Sequence, residues 1–181
     1  AEHKDNILPK SLYYDVNVSG TKNIVRSLDI NKINRVIFTS TVAVYGLNKS
    51  NPKEDDPLSP FNDYSNSKLE AEKILIDWWS KDKNNRELII LRPTVVFGEN
   101  NRGNVYNLIN QIVRNRFVMV GNGQNKKSLA YVGNLVAYIK FLIDNPSKGM
   151  QIYNYTDSPD FTMNELVKLI QNELGVVKKS L

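Results

Sequence analysis

The chain contains no cysteine and a single histidine, His3. Disulfides and thiolate metal sites are thereby excluded, while the redox compartment stays open. One imidazole cannot by itself build a histidine metal site or complete a serine–histidine triad. No apolar run approaches the length of a membrane span, and no charged-then-apolar leader opens the sequence. The expectation is a soluble, cytoplasmic protein without a membrane partner. The glycines, at 20, 46, 98, 103, 121, 123, 133, 149 and 175, never fall as Gly-x-x-Gly-x-x-Gly, the turn with which dinucleotide-binding folds cradle a pyrophosphate. Basic residues exceed acidic ones, 24 to 19, for a net charge of +5. They are dispersed, with no stripe interleaved with aromatics, which argues against a nucleic-acid partner. The positive balance suits a small anionic substrate, and equally reflects a Lys- and Asn-rich composition with no functional meaning.

What is present fits one layered fold. At 181 residues the chain is long enough for a core. Residues 11–29 carry Leu12, Val16, Ile24, Val25 and Leu28 at helical spacing, with Gly20 a weak point. "RVIFTS" at 35–40 and "ELIILRP" at 87–93 are buried-type strands, the second without alternation, as in a parallel sheet covered on both faces. Residues 46–60, with Gly46, Pro52, Pro57 and Pro60, form a loop. A long helix comes next over 63–81, with Leu69, Ile74, Leu75 and Trp78 on its apolar side. Further on, the pattern predicts a helix over 103–114, a strand "FVMV" at 117–120, a turn at 121–123, a helix over 134–143 and a strand "QIYNY". Thr162 and Glu165 make a capping box, and Gly175 stops the last helix. Strands separated by helices imply a mainly parallel α/β sheet.

Three pieces carry chemistry: "FTSTVAVYG" at 38–46, "YSNSK" at 64–68 and "LRPTVVFG" at 91–98. The first ends a strand and the third begins at the end of another, where parallel sheets bind ligands. Tyr64 and Lys68 lie four apart, so a helix turns them the same way. A free tyrosine, with a pKa of about 10, is too weak an acid to act as a neutral-pH base. A nearby ammonium and a helix N-terminus both stabilise the phenolate. Thr41 could hold a substrate oxygen between its hydroxyl and that of Tyr64. Such a pair handles the proton of an alcohol or ketone, and a cofactor must handle the hydride. The bland alternative, a rim tyrosine beside a solvated lysine, holds for Tyr-x-x-x-Lys taken alone.

These segments, with "LYYDVNVSGTKNIV" at 12–25, "EDDPLSPFNDYSNSKLEAEK" from Glu54 and "GNGQNKKSLAYVGNLVAYI" from Gly121, resemble in order the extended short-chain dehydrogenase/reductase family, in its NAD-dependent epimerase/dehydratase branch. The resemblance implies an α/β fold: a Rossmann-like, mainly parallel sheet with helices on both faces, incomplete, plus part of a small α/β substrate domain. Residues 1–98 would be the C-terminal part of the NAD-binding domain. Residues 99–181 would be a truncated substrate-binding region interleaved with the last Rossmann elements. It implies Thr41, Tyr64 and Lys68 as catalytic residues, with Asn17, Thr39, Pro93 and Thr94 joining Tyr64 and Lys68 on the cofactor side. Asn104 and Lys127, with Thr41, would contact the substrate. Asn17 is as readily a purely structural residue, and Asn104 and Lys127 as readily solvated loop residues. His3 would have a packing or capping role. The implied cofactor is NAD, with NADP possible, and the implied partners are a nucleotide-sugar substrate and, at full length, a second copy.

The departures shape the expected function. Without a Gly-rich turn, the chain reads as the middle-to-C-terminal piece of an enzyme about twice as long, and alone would bind NAD weakly or not at all. Val42 and Ala43 stand where nucleotide-sugar dehydratases carry an Asp and a Glu, and neither can transfer a proton. Val95 stands where galactose epimerases carry a substrate Asn. The leading expectation is an epimerase or related oxidoreductase acting on a nucleotide sugar. A reductase of a keto sugar or other carbonyl, and a non-catalytic dinucleotide-binding protein, are the alternatives.

Overall fold

The computed structural model describes residues 8–47 and 51–175; His3 and Ala1 lie outside them. The chain divides into two units, one built from the chain up to Thr94 plus Tyr138–Tyr155, the other from Val95–Ala137 and the chain from Thr156.

The first unit opens with a helix whose regularity breaks once. α1 (Ser11–Tyr14) passes into a π-helical segment, Asp15–Ser19, and then α2 (Gly20–Ile30). The break lies just before Gly20, the weak point of the sequence pattern. The Thr21 hydroxyl donates to the Asn17 carbonyl at 2.6 Å, a side-chain bond to the backbone of the π segment. β1 (Arg35–Thr39) comes next, then a 3₁₀ turn (Val42–Tyr45), α3 (Asp63–Ser80) and β2 (Glu87–Pro93). α5 (Val132–Asp144) leads back into this unit as β6 (Gly149–Tyr155). The sheet order is β1-β2-β6, both pairs parallel, with Thr39 opposite Leu91 and Pro93 opposite Tyr155. All seven residues of β2 are buried, as expected of a central parallel strand.

The core of this unit sits between α3 and the sheet. Leu75, Leu88 and Ile90 are its buried centre, with Val25, Val36, Phe38, Ile76, Met150 and Ile152 around them. The buried stripe of α3 matches the apolar one of the sequence pattern at Leu75 and Trp78, whereas Leu69 and Ile74 are only half-buried. Ser65, Ser67, Lys68, Ala71 and Glu72 complete the inward face. This stripe keeps helical spacing, but polar residues occupy its first half. Below, Arg35 fastens the other end of the sheet. It pairs with Glu87 at 3.0 Å and donates to the Leu142 and Ile143 carbonyls, a cation on the C-terminal carbonyls of α5.

In the second unit, β3 (Val95–Phe97) pairs in parallel with β5 (Leu129–Tyr131), and β4 (Lys126–Lys127) pairs antiparallel with β7 (Phe161–Thr162). α4 (Asn104–Val113) and α6 (Met163–Glu173) complete it. Its core is Ile112, Leu166, Val167 and Ile170. The capping box at Thr162 and Glu165 forms, and Gly175 takes a φ of 62° just past the end of α6. The expected strand at 117–120 does not form. Phe117 and Met119 turn inward to the core, but no neighbouring strand pairs with the backbone, and the amides of Arg116 and Phe117 return to the Gln111 carbonyl. The short strands β3, β4 and β5 escape the sequence pattern because each is only two or three residues long.

Replacing Leu75 by Ala removes a fully buried side chain from the centre of the first core. A loss of about 2–5 kcal/mol in unfolding free energy is expected, measured by urea denaturation. A loss within the range of a surface substitution would show that α3 is not seated on this core.

Candidate active site

Every candidate catalytic residue stands where β1 or α3 meets the carboxyl end of the sheet. Past Thr39, the Ser40 amide donates to the Leu91 carbonyl at 2.6 Å, extending the ladder by one residue. Thr41 is extended and caps the 3₁₀ turn; its Oγ1 accepts from the Ala43 amide at 3.2 Å. An accepted bond leaves the hydroxyl proton able to donate elsewhere. The turn ends at Gly46, with φ of 96°, where a Cβ would meet the Ser59 carbonyl oxygen at 2.4 Å. The returning loop lies that close because the Ser59 amide bonds the Val44 carbonyl at 3.0 Å.

That loop delivers the chain to the start of α3. Asn62 caps the helix, its side chain accepting from the Ser65 amide at 2.8 Å while Ser65 Oγ accepts from the Asn62 amide at 3.1 Å. Tyr64 therefore sits in the first turn, where the helix field favours negative charge. Its ring meets that of Tyr13 with centroids 6.1 Å apart and planes tilted by 58°. Ser67 accepts from Asn17 Nδ2 at 3.0 Å, so the π segment is pinned to α3 through Asn17.

Lys68 is buried. Its ammonium donates to the Thr39 carbonyl at 2.6 Å and lies 4.2 Å from the centre of the Phe38 ring. Burial pulls its pKa down to about 8, against the opposing pull of the Glu72 carboxylate. The ammonium form therefore still dominates at neutral pH, one helical turn beyond Tyr64.

The strongest polar contacts lie deeper, around residues that the chemical motifs alone do not single out. Arg92, 2% exposed, forks onto Glu72: Nε donates to Oε1 at 3.1 Å and Nη2 to Oε2 at 2.7 Å. Its Nη1 donates to the Tyr45 hydroxyl at 2.7 Å and to the Glu54 carbonyl at 3.2 Å. Tyr45 in turn donates to Asn154 Oδ1 at 2.8 Å. Asn154 gives its amide to Glu54 Oε1 and its side chain to the Pro52 carbonyl, at 2.8 and 2.7 Å. Burial opposes the Arg92 charge, but Glu72 and Tyr45 outweigh it and hold the guanidinium pKa above its ordinary value. One signal for this network is visible in the sequence: an arginine inside an apolar strand and a glutamate on the inward stripe of a helix cannot be buried unpaired.

Pro93 ends β2, and the Thr94 amide bonds the Tyr155 carbonyl at 2.9 Å. The hydroxyls of Ser40 and Thr94 are buried and take no hydrogen bond from the described residues. Two unserved hydroxyls and a buried ammonium, past the ends of adjacent parallel strands, fit the nicotinamide and ribose of a dinucleotide, which offer both donors and acceptors. Asn104, exposed at the start of α4, and Lys127, exposed on β4 opposite Phe161, belong to the second unit. The other candidates, Asn17, Thr39, Thr41, Tyr64, Lys68, Pro93 and Thr94, belong to the first. Among the described residues no cluster of His, Cys, Asp and Glu could hold a metal.

A parallel sheet flanked by helices, with a hydroxyl, a phenol and a buried amine at its carboxyl end, is an α/β fold of Rossmann type. The sequence model of the NAD dependent epimerase/dehydratase family matches residues 1–155, and the chain belongs to that family. It is 53% identical, over 97% of its length, to N-acetyl-alpha-D-glucosaminyl-diphospho-ditrans,octacis-undecaprenol 4-epimerase of Escherichia coli O157:H7, covering 53% of that protein. It is 34% identical to UDP-glucose 4-epimerase of Vibrio cholerae over 88% of this chain and 49% of that one. Among solved structures, UDP-glucuronic acid 4-epimerase from Bacillus cereus in complex with NAD shares the fold, with a TM-score of 0.82 at 19% identity over 99% of this chain and 57% of that one. The chain spans about half the length of the curated relatives it matches.

Two outcomes test the site's electrostatics. Arg92→Met strands the Glu72 carboxylate in the interior and is expected to cost about 3–5 kcal/mol, whereas Arg92→Met with Glu72→Leu regains most of it. Urea midpoints of the three proteins decide this; equal losses in single and double variants would deny the pairing. For Lys68, the folded pKa of about 8 lies below the unfolded value of 10.5. Below about 8 both states hold the proton and burial of the charge opposes folding; between about 8 and 10.5 the unfolded state holds more protons. Stability relative to Lys68→Met should therefore rise as pH climbs through that window. A pH-independent difference would contradict the shift.

Proposed function

We propose that this chain carries the acid/base half of an NAD-dependent 4-epimerase whose sugar is carried on a diphosphate. The observation that supports the carrier most directly is the 53% identity, over nearly the whole chain, to an enzyme named for a polyprenyl diphosphate-linked N-acetylglucosamine. A lipid-linked amino sugar is therefore the favoured substrate. A nucleotide sugar is the second reading, favoured by the 34% identity to a UDP-glucose 4-epimerase.

In this reading Tyr64 as phenolate accepts the proton of the sugar's 4-hydroxyl, and Thr41 donates a hydrogen bond that orients that oxygen. Lys68 keeps a positive charge one helical turn away, which favours the phenolate. When bound, NAD supplies the acceptor, and then the donor, for the hydride of the sugar carbon. Lys68, Thr94 and the β2 backbone at Pro93 would hold its nicotinamide ribose end, with Thr39 and Asn17 supporting them. After the 4-keto sugar turns its other face, Tyr64 returns the proton as the alcohol re-forms. No proton donor stands directly after Thr41, where Val42 and Ala43 are found, so loss of water is not served. Asn104 and Lys127 are assigned to the diphosphate; lysine meets phosphate as a point charge. The chain up to position 98 is assigned to the cofactor domain and the rest mainly to the substrate region, the full-length protein working as a homodimer in the cytoplasm.

The test uses the longer polypeptide that contains this sequence, with polyprenyl diphosphate-linked N-acetylglucosamine and UDP-N-acetylglucosamine offered separately. Interconversion of the 4-epimers without net consumption of NADH or NADPH is expected with the lipid-linked sugar. Net consumption would favour a reductase. Tyr64→Phe should lower turnover by roughly 10²–10⁴-fold while bound NAD is retained; unchanged turnover would remove Tyr64 from the mechanism.

A further inference from the structure

The second unit presents an outward strip that its own packing leaves unused. After α4 the chain runs without regular structure through most of residues 114–127, "RNRFVMVGNGQNKK", which contains four basic and no acidic residues. Phe117 and Met119 alternate inward onto the core of Ile112, Leu166, Val167 and Ile170. The intervening side chains alternate outward: Val118 is 77% exposed and Val120 88%. Arg116 is exposed in the same phase, and Arg114, Lys126 and Lys127 are exposed as well. Among the described residues, no carboxylate forms a salt bridge with Arg114, Arg116 or Lys127.

Single exposed valines are ordinary on a protein surface. Two of them in one phase of a segment anchored by the side chains between them, with unpaired cations on both flanks, form an amphipathic strip. We propose that this strip docks on the surface of an anionic lipid bilayer, the valines entering the interfacial layer and the arginines meeting lipid phosphates. A flat membrane asks for charge and apolar area but no groove, and that is what the segment offers. Stacking on nucleic-acid bases is not served, because the one aromatic ring of the segment, Phe117, turns inward. No membrane-crossing helix is required, and among the described residues none is long and apolar enough to be one. The proposal departs from the sequence expectation of no membrane partner, which rested on the lack of an apolar span and of a leader. It rests on the reading that the substrate is lipid-linked: a polyprenyl diphosphate is confined to such a surface, and docking would bring the protein to it.

The test is flotation of the 181-residue chain with phosphatidylcholine vesicles, with and without phosphatidylglycerol, and with no sugar substrate present. Flotation is expected only with the anionic vesicles and should weaken as salt is raised. The pairs Val118→Ser with Val120→Ser, and Arg114→Gln with Arg116→Gln, should each reduce bound protein by roughly tenfold. All four positions are solvent-facing, so unchanged circular dichroism and thermal midpoints are expected. Equal flotation with neutral vesicles, absence of flotation, or variants that float like the parent would each overturn the proposal. So would a strip that mediates self-association alone, seen as variants altered in sedimentation but not in flotation. Because no substrate is used, failure here leaves the epimerase reading standing. Flotation with a longer polypeptide inactive on lipid-linked sugar would sink that reading instead.

Discussion

Arg92 is a full positive charge at the carboxyl end of the central buried strand, and much of the first unit is arranged to keep it paired. Glu72 reaches it from α3, Tyr45 from the 3₁₀ turn, and the Glu54 carbonyl from the proline-rich loop. Asn154 on β6 then ties Tyr45 to that same loop. One guanidinium thus joins four segments that are far apart in sequence. The segments it joins are those that carry Thr41 and Tyr64. An apolar residue at 92 could fill the same space, but the loop between the turn and the helix would lose its bond to the guanidinium and keep those from Asn154 and to Val44.

A second cation lies on the same helix stripe, one turn before Glu72, and is treated in the opposite way. Arg92 is surrounded by acceptors that hold its charge, while Lys68 is given one carbonyl and one ring face. Glu72 is engaged by the arginine fork, so it offsets the desolvation of Lys68 only in part. The result is one fixed charge that supports structure and one titratable charge a helical turn from Tyr64, a division of roles set by residue type and reinforced by the number of partners.

The large helices and the three parallel strands were legible because periodicity is a local property; Thr41, Tyr64 and Lys68 were singled out by the family resemblance, and the fold puts them on β1's end and α3. Of the inward stripe of α3, Leu75 and Trp78 were legible, but its polar half was not. An apolar criterion selects Leu69 and Ile74, but the partners that make Ser67, Lys68 and Glu72 tolerable inside are Asn17, Thr39 and Arg92, and only the fold brings these close. Tyr13 against Tyr64 is hidden for the same reason. The strand expected at 117–120 shows the reverse error: its alternation is real and buries Phe117 and Met119, but a strand also needs a neighbour for its backbone.

The π segment has a consequence for how the chain tolerates changes of length. A π turn is an α-helix carrying one residue too many, and the surplus is taken up locally as a bulge. Five residues wound this way turn the chain about as far as four at the regular helical spacing of about 100° per residue. α1 and α2 therefore keep nearly the phase they would have with one residue fewer, and Tyr13 still faces the ring of Tyr64. At this point the chain length can change by one residue while the aim of the side chains is nearly kept.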